Sequence, residues 1–460
     1  MKTTIFTSLL MACFLLPNTV SAQEKKTPDW AKETSEQKEN RLAWWTNDRL
    51  GMFIHWGLYS LPARHEWVQH NERTSADNYR KYFEHFNPDL YDPSEWAKKA
   101  KAAGMKYVVI TTKHHEGFCL FDSKYTDYKV TNTPCGRDLI KPLCDAFRAE
   151  GLRIGFYYSL IDWHHPDFTI DPLHPECPRL KGTLGNRFVM DTVAASEMNK
   201  TRDMKKYQQY MKNQLTELLT NYGQIDELFL DFSYEDKGDK EWDSEGLLKV
   251  IRQCQPQIIV DDRLGLGDTD WGWDFKTPEQ TMPDKWVEHN GVRVPWETCQ
   301  TFSGSWGYYR DETSWKSTNQ LLTMLIEVVS KGGNLLLNVG PTARGTFDYR
   351  AIDRLESMGK WMDVNSRSIY GCTQAPTEFK APANTLLTYN PTAKILYVSV
   401  FNWPTFRELN LEGYKGKIKY AQILNDGSEV QFREHGENVT LSLPLAKPNT
   451  EIPVIEVFLK

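Results

Sequence analysis

The residues best suited to chemistry stand at the ends of apolar runs. Gln224-Ile-Asp-Glu-Leu-Phe-Leu-Asp231 is a short, mainly apolar run closed by a carboxylate. Lys106-Tyr-Val-Val-Ile-Thr-Thr-Lys113 leads into His114-His115-Glu116, and Gln257-Ile-Ile-Val260 leads into Asp261-Asp262-Arg263. Runs of this length and composition read as buried strands. In a parallel β/α protein the C-terminal strand ends face one side, so their ionisable residues would converge on one pocket. Asp231 in that position is read as a nucleophile, with membership of a structural ion pair as the alternative.

A nucleophilic carboxylate becomes useful beside a second one. Two carboxylates about 5 Å apart hydrolyse a glycoside with retention: one attacks, and the other protonates the leaving oxygen and then activates water. Glu279, in Trp273-Asp-Phe-Lys-Thr-Pro-Glu279-Gln280, and Glu297, in Pro295-Trp-Glu297-Thr-Cys299, are the two candidates for that second role. Phe53-Ile-His55-Trp56-Gly57 and His65-Glu66-Trp67 bring imidazole, carboxylate and indole close together. A carboxylate such as Glu66 between His and Trp needs polar partners if it is buried, and a polyhydroxylated ligand supplies them. His114 and His115 invite a metal reading, but successive strand residues point to opposite faces and no HExxH spacing accompanies them. Hydrogen bonds to sugar hydroxyls explain the pair better, and no metal site is expected.

Several elements must position these groups. Arg49–His55 reads as a first strand. A helix starts at Pro93 and Gly104 ends it, and the strand from Met105 to Thr112 follows. Leu139–Glu150, Met204–Asn221, Glu245–Gln253, Ser317–Ser330 and Tyr349–Asn365 read as further helices; residues 23–40 read as a loose polar lead-in. The first, second and fourth of these helices are each closed by glycine and followed by an apolar strand. That cycle argues for parallel βα units, and about 330 residues fit a (β/α)8-like TIM barrel with insertions. A doubly wound sheet is the alternative, weakened by the lack of a glycine-rich phosphate loop after any strand.

After Thr373 the pattern changes to short strands separated by turns, with a hairpin signal at Asn425-Asp-Gly427. The expected organisation is a signal peptide over 1–22, a catalytic barrel over 23–373 and a β-sandwich over 374–460. The signal peptide reading rests on Lys2, the apolar Ile5–Leu16 and the small-residue site Val20-Ser-Ala22. It predicts a secreted or periplasmic protein; lipid anchoring at Cys13 is the alternative, and no stable membrane span is expected. A formal net charge of -6 with mixed signs gives no reason to expect a nucleic-acid partner. Beyond Cys13 the cysteines are odd in number and lack a CxxC pair, which argues against a zinc site or a disulfide scaffold. Sixteen Trp and twenty-one Tyr suit either a large core or sugar stacking.

Taken in order, the motifs resemble glycoside hydrolase family 29, the α-L-fucosidases. The matching stretches are Gly51-Met-Phe-Ile-His-Trp-Gly-Leu-Tyr-Ser60, His65-Glu-Trp67, Thr112-Lys-His-His-Glu-Gly-Phe-Cys119, Gly155-Phe-Tyr-Tyr-Ser159, Asp261-Asp-Arg263, Ser305-Trp-Gly-Tyr308 and Lys331-Gly-Gly-Asn-Leu-Leu-Leu-Asn-Val-Gly-Pro341. They span about residues 40 to 373. The resemblance implies an exo-acting, retaining enzyme without metal or organic cofactor, acting on a fucosylated oligosaccharide or glycoconjugate. It implies Asp231 as nucleophile and favours Glu279 over Glu297 as acid/base. It assigns His55, Glu66, Trp67, His114, His115, Tyr157 and Arg263 to the sugar's hydroxyls and ring, and Trp306 to its methyl group. Phe229 stands where other members often carry Trp, and Phe232 where many carry Gly.

Overall fold

The computed structural model describes residues 26–181, 189–233 and 237–460. The expected signal peptide and Cys13 lie outside the described residues. Strands β1 (Leu50–Ile54), β2 (Tyr107–Lys113), β3 (Arg153–Ser159), β4 (Glu227–Asp231) and β5 (Ile259–Val260) come first. A small antiparallel hairpin, β6 (Glu288–His289) and β7 (Val292–Arg293), precedes β8 (Glu297–Thr301) and β9 (Asn334–Val339). Apart from the hairpin, these form one parallel sheet in the order β5-β4-β3-β2-β1-β9-β8.

The gap between the outer strands β5 and β8 is spanned by an extended segment over residues 274–279. It forms parallel bridges to both sides, Asp261 with Phe275, Lys276 with Trp296 and Glu279 with Cys299. Seven strands and this segment make the eight staves of a (β/α)8-like barrel, as the sequence predicts. Helices Pro93–Ala102, Ile140–Ala149, Met204–Asn221, Ser244–Cys254, Thr318–Ser330 and Tyr349–Asn365 accompany the staves. Strands β1, β2, β4 and β9 are buried along their whole length, as expected for parallel strands covered on both faces.

Alternation along the staves sorts their side chains. Val108, Ile110, Leu228, Leu230, Leu335 and Leu337 join the large apolar core that includes the helices, while Phe53, Val109, Tyr157, Phe229, Phe275, Cys299 and Leu336 form a separate inner cluster. The inward residues of β4 are therefore Glu227, Phe229 and Asp231, two residues apart. The expected loose lead-in contains a helix, Ser35–Asp48, started by a Thr34–Gln37 capping box. It buries Leu42 and Trp45, and Trp45 packs on Phe275 inside the barrel's N-terminal end.

The C-terminal part has a five-stranded antiparallel sheet built from β10 (Thr373–Gln374), β11 (Thr385–Asn390), β12 (Ile395–Val400), β14 (Ile418–Ile423) and β17 (Val454–Leu459). A three-stranded sheet of β13 (Glu408–Leu411), β15 (Gln431–His435) and β16 (Asn438–Ser442) faces it across a core that includes Leu396, Val398, Leu411, Val439 and Leu441. The sandwich is tied to the barrel's helices: Trp361 Nε1 donates to Ile452 O at 2.8 Å, and Arg367 pairs with Glu456 at 2.9 Å. All cysteines among the described residues are free thiols. No helix among those residues is long and apolar enough to cross a membrane.

Candidate active site

A cavity of about 70 Å³ opens at the C-terminal ends of the staves. Asp231 ends β4 on its floor and is almost fully buried. Its Oδ2 accepts from Tyr157 Oη at 2.9 Å and its Oδ1 from Arg263 Nη1 at 2.8 Å. The same Nη1 donates to Glu279 Oε2 at 2.7 Å. These two carboxylate oxygens therefore stand no further apart than the two bonds laid end to end. That compares with the roughly 5–5.5 Å separation of retaining glycosidases.

Arg263 is itself fixed. Its Nε donates to Thr277 Oγ1 at 2.8 Å and its Nη2 to Thr277 O at 3.0 Å, while Asp262 Oδ1 holds Thr277 from the other side at 2.7 Å. Burial alone would depress the guanidinium, but Asp231, with Cys299 and Glu279, reverses that and holds it well above the usual arginine range. The cation also lies over Phe229, 5.1 Å from the ring centroid.

The opposite wall carries neutral and orphaned polar groups. His55, at the end of β1, contacts Asn338 Oδ1 through Nδ1 at 2.7 Å, and burial pushes its pKa down to about 3. Burial, then His115 and His55, hold His114 well below the ordinary histidine value as well. Glu66 is buried, and its Oε2 accepts from the backbone N–H groups of Trp306 at 3.1 Å and Gly307 at 2.8 Å. His65 Nδ1 lies 3.2 Å from Glu66 Oε1 but accepts from Trp67 N–H, so it has no proton to give. Glu66 Oε1 is left without a hydrogen-bond partner beside the cavity. A buried carboxylate oxygen in that state is suited to receive a ligand hydroxyl.

The cavity brings together His55, Glu66, Trp67, His114, Tyr157, Phe229, Asp231, Arg263, Glu279 and Trp306 from the sequence-expected set. Two expected residues are not part of it. His115 is fully buried behind His114, stacked on Trp163 with centroids 3.9 Å apart and packed against Trp67. Its neighbour takes the pocket-facing direction. Glu297 opens β8 instead of closing it, and faces Glu227 and Tyr107 at the N-terminal end of the barrel. Glu227 lies four residues before Asp231, roughly 13 Å at strand rise, so that layer is out of reach of a bond broken beside Asp231. Of the two candidate second carboxylates, only Glu279 lines the cavity with Asp231.

A family model for alpha-L-fucosidase matches residues 14–367. The chain belongs to that family. Membership makes it a glycoside hydrolase. The tissue alpha-L-fucosidase of Homo sapiens is 30% identical over 450 residues, covering 92% of this chain and 89% of the relative. Among solved structures, alpha-L-fucosidase isoenzyme 1 from Paenibacillus thiaminolyticus superposes with a TM-score of 0.84 at 43% identity, covering 92% of this chain and 100% of the other. A GH29 alpha-L-fucosidase from Bacteroides thetaiotaomicron, described as a trapped covalent intermediate with 2-fluoro-fucosyl fluoride, superposes with a TM-score of 0.77 at 28% identity, covering 95% of this chain and 98% of the other.

The fucosidase motifs acquire physical reasons in this geometry. A Cβ at Gly57 would meet Glu116 Oε1 at 2.3 Å, so only glycine lets the turn after His55 pass that carboxylate. Phe232, directly after Asp231, has φ +70°, a left-handed conformation that glycine adopts freely and Phe does not. This explains why glycine suits the position and how Phe232 comes to line the cavity beside Trp67. Phe53 and Cys299 also line it, and neither is among the expected site residues. Both share an inward strand face with an expected site position, the signal that would have found them. Five of the sixteen Trp residues, Trp45, Trp56, Trp96, Trp242 and Trp296, are fully buried and serve the core. Among the described residues no group of three or more His, Cys, Asp and Glu side chains is arranged to hold a metal ion.

Proposed function

We propose that this chain is an exo-acting, retaining α-L-fucosidase that releases terminal α-L-fucose from glycans or glycoconjugates through a covalent fucosyl-enzyme. The observation that carries the reading is the pair of carboxylates, Asp231 and Glu279, gathered on one Arg263 nitrogen at the closed end of a small cavity. The carboxylate pair stands at the bottom of a small cavity, which favours one terminal sugar inside and the rest of the glycan outside, the arrangement of exo action.

In this reading Asp231 attacks the anomeric carbon while Glu279 gives its proton to the departing oxygen. A β-linked fucosyl-Asp231 ester forms. Glu279, now a base, takes a proton from water, which attacks the same carbon; the C–O bond to Asp231 breaks, and α-L-fucose leaves with net retention. Tyr157 and Arg263 hold Asp231 on line and receive its charge back when the ester breaks. His55, His114 and Glu66 accept or donate to the sugar hydroxyls, and Trp306 supplies an apolar face for the methyl group. The Bacteroides thetaiotaomicron covalent intermediate supports the two-step route. Residues 23–373 act as the catalytic part and 374–460 as an accessory sandwich, and the apolar N-terminus supports export to the periplasm or outside the cell.

The test is release of nitrophenol from an aryl α-L-fucoside by the wild type and by Asp231→Ala, with the anomer formed first followed by proton NMR. The expected result is α-L-fucose as first product, and turnover lowered by several orders of magnitude in a folded variant. Near-normal turnover in Asp231→Ala, or β-L-fucose as first product, would overturn the reading. A parallel rate on the matching galactoside checks the role of the Trp306 face.

A further inference from the structure

We propose that Asn338 is a positioning residue of this site, which decides the ring nitrogen that His55 presents to the sugar and, with the same amide, anchors the backbone that carries Trp306. The proposal rests on the fucosidase reading of the cavity. Asn338 lies in β9 and is 2% exposed. Its Nδ2 donates to Trp306 O at 2.7 Å. A carbonyl oxygen only accepts, so the amide can face it in one orientation alone, with Oδ1 turned away. Oδ1 then lies 2.7 Å from His55 Nδ1 and, being an acceptor, requires the proton on that nitrogen. Nε2 of the neutral ring is left with its lone pair, so His55 accepts from a sugar hydroxyl and does not donate to one.

The other half of the clamp is Glu66, whose Oε2 takes the N–H groups of Trp306 and Gly307. The Trp306–Gly307 segment is therefore held from two sides, by β9 and by the loop after β1. Packing leaves no slack: a Cβ at Gly340 would lie 2.7 Å from Trp306 O, and one at Gly307 would lie 2.8 Å from the Tyr59 ring. The Trp306 ring in turn packs on His55, with centroids 5.1 Å apart. One amide thus couples a hydroxyl acceptor to the apolar wall beside it.

The decisive variant is Asn338→Asp, which keeps the shape. Its carboxylate still accepts from His55 Nδ1 but loses the donor to Trp306 O, and it makes the imidazolium more favourable. The titratable groups facing His55 are His114 after β2 and Tyr157 in β3, Glu66 from the loop after β1, and Asp231, Arg263 and Glu279 across the cavity. All of them are present in both proteins, so a difference between the two profiles belongs to the Asn338–His55 pair. The expected result is a kcat/KM profile with a new acidic limb at about pH 6–7 that the wild type lacks, together with a KM for aryl fucoside raised about tenfold. Adding His55→Gln to Asn338→Asp should abolish the limb. In the wild type, nitrogen-15 NMR of labelled histidine, assigned by His55→Gln, should find the His55 proton on Nδ1. A purely structural Asn338 would shift the unfolding midpoint and leave the profile's shape alone. A superimposable profile, or a proton on Nε2, overturns the proposal. Wild-type inactivity on fucosides would sink the fucosidase reading instead, and the NMR tautomer would still decide the role of Asn338.

Discussion

Replacing Glu297 by Gln separates two properties that the sequence could not, chemistry at one end of the barrel and stability at the other. Glu297 and Glu227 are both fully buried, and Tyr107 Oη donates to Glu297 Oε2. Burial pushes the Glu297 carboxyl from 4.5 up to about 7; burial, then Glu297 itself, pushes Glu227 well above the usual carboxylate range. A proton held in the fold up to about pH 7 is released by the unfolded chain from 4.5 upward. Between those values the unfolded chain binds fewer protons, so stability is full below the lower value and is lost as pH rises through the upper one. At about 1.4 kcal/mol per pH unit, the coupled Glu297–Glu227 pair removes on the order of 3 kcal/mol of stability as pH rises across that window.

Gln has the same shape and no proton to lose. Glu297→Gln should flatten the decline of stability with pH. It should exceed the wild type by up to about 3 kcal/mol above pH 7, with the advantage disappearing below about pH 4.5. The assay is urea unfolding followed by tryptophan fluorescence at a series of pH values, beside hydrolysis of an aryl α-L-fucoside. Turnover should stay within about twofold of the wild type, since the site lies roughly 13 Å away along the strand. A folded Glu297→Gln protein with turnover lowered a hundredfold would return Glu297 to the chemistry. An unchanged pH slope would refute the buried, protonated pair.

Two further outcomes follow from the site. Glu279→Gln should lower kcat/KM roughly 10²–10⁴-fold on a fucosylated oligosaccharide, and much less on a nitrophenyl fucoside, whose leaving group needs little protonation; equal losses on both would remove Glu279 from the acid role. Gly340→Ala would bring a methyl group to 2.6 Å from Tyr308 N and 2.7 Å from Trp306 O. The Trp306 loop must then shift, at a cost of about 1–3 kcal/mol; a raised KM and a lower unfolding midpoint are expected, and an unchanged KM would show that the loop does not touch the sugar.

The parts of the site legible in the sequence are those where an apolar stave ends in a polar residue. Asp231 and His114 follow that rule. Asn338 follows it too, at the end of Leu335-Leu-Leu-Asn338, but an amide after an apolar run looks like the start of a loop until its two partners are in place. His115 shows the limit of adjacency: two neighbouring residues leave a stave in different directions, so one imidazole enters the cavity and the other stacks on Trp163. The helix Ser35–Asp48 escaped an apolar reading because only Leu42 and Trp45 are buried in its fourteen residues. Its Thr34–Gln37 capping box was the available signal.

Glu279 and Glu297 show why the second carboxylate was the hardest to read. Glu279 follows Lys276-Thr-Pro278 and Glu297 follows Pro295-Trp296, so neither stands at the end of a long apolar run. Glu279 lies on the stave that closes the barrel by isolated bridges to Asp261, Trp296 and Cys299 neighbours, with no regular strand of its own, so composition cannot announce it. β8 reads Glu-Thr-Cys-Gln-Thr and is buried throughout, a polar strand made possible by hydrogen bonds on both faces, from Tyr107 to Glu297 inside the barrel and from Gln300 to Thr298 on the other side. What separates the two is position along a parallel stave. A carboxylate that opens a stave faces the N-terminal end, where it affects stability, and one that closes a stave faces the end where ligands bind. Glu297 bridges the start of β9 at Asn334, whereas Glu279 bridges Cys299 in the middle of β8 and reaches Arg263 above it. Direction along the strand, which no local motif encodes, is therefore what places Glu279 beside Asp231 and Glu297 away from it.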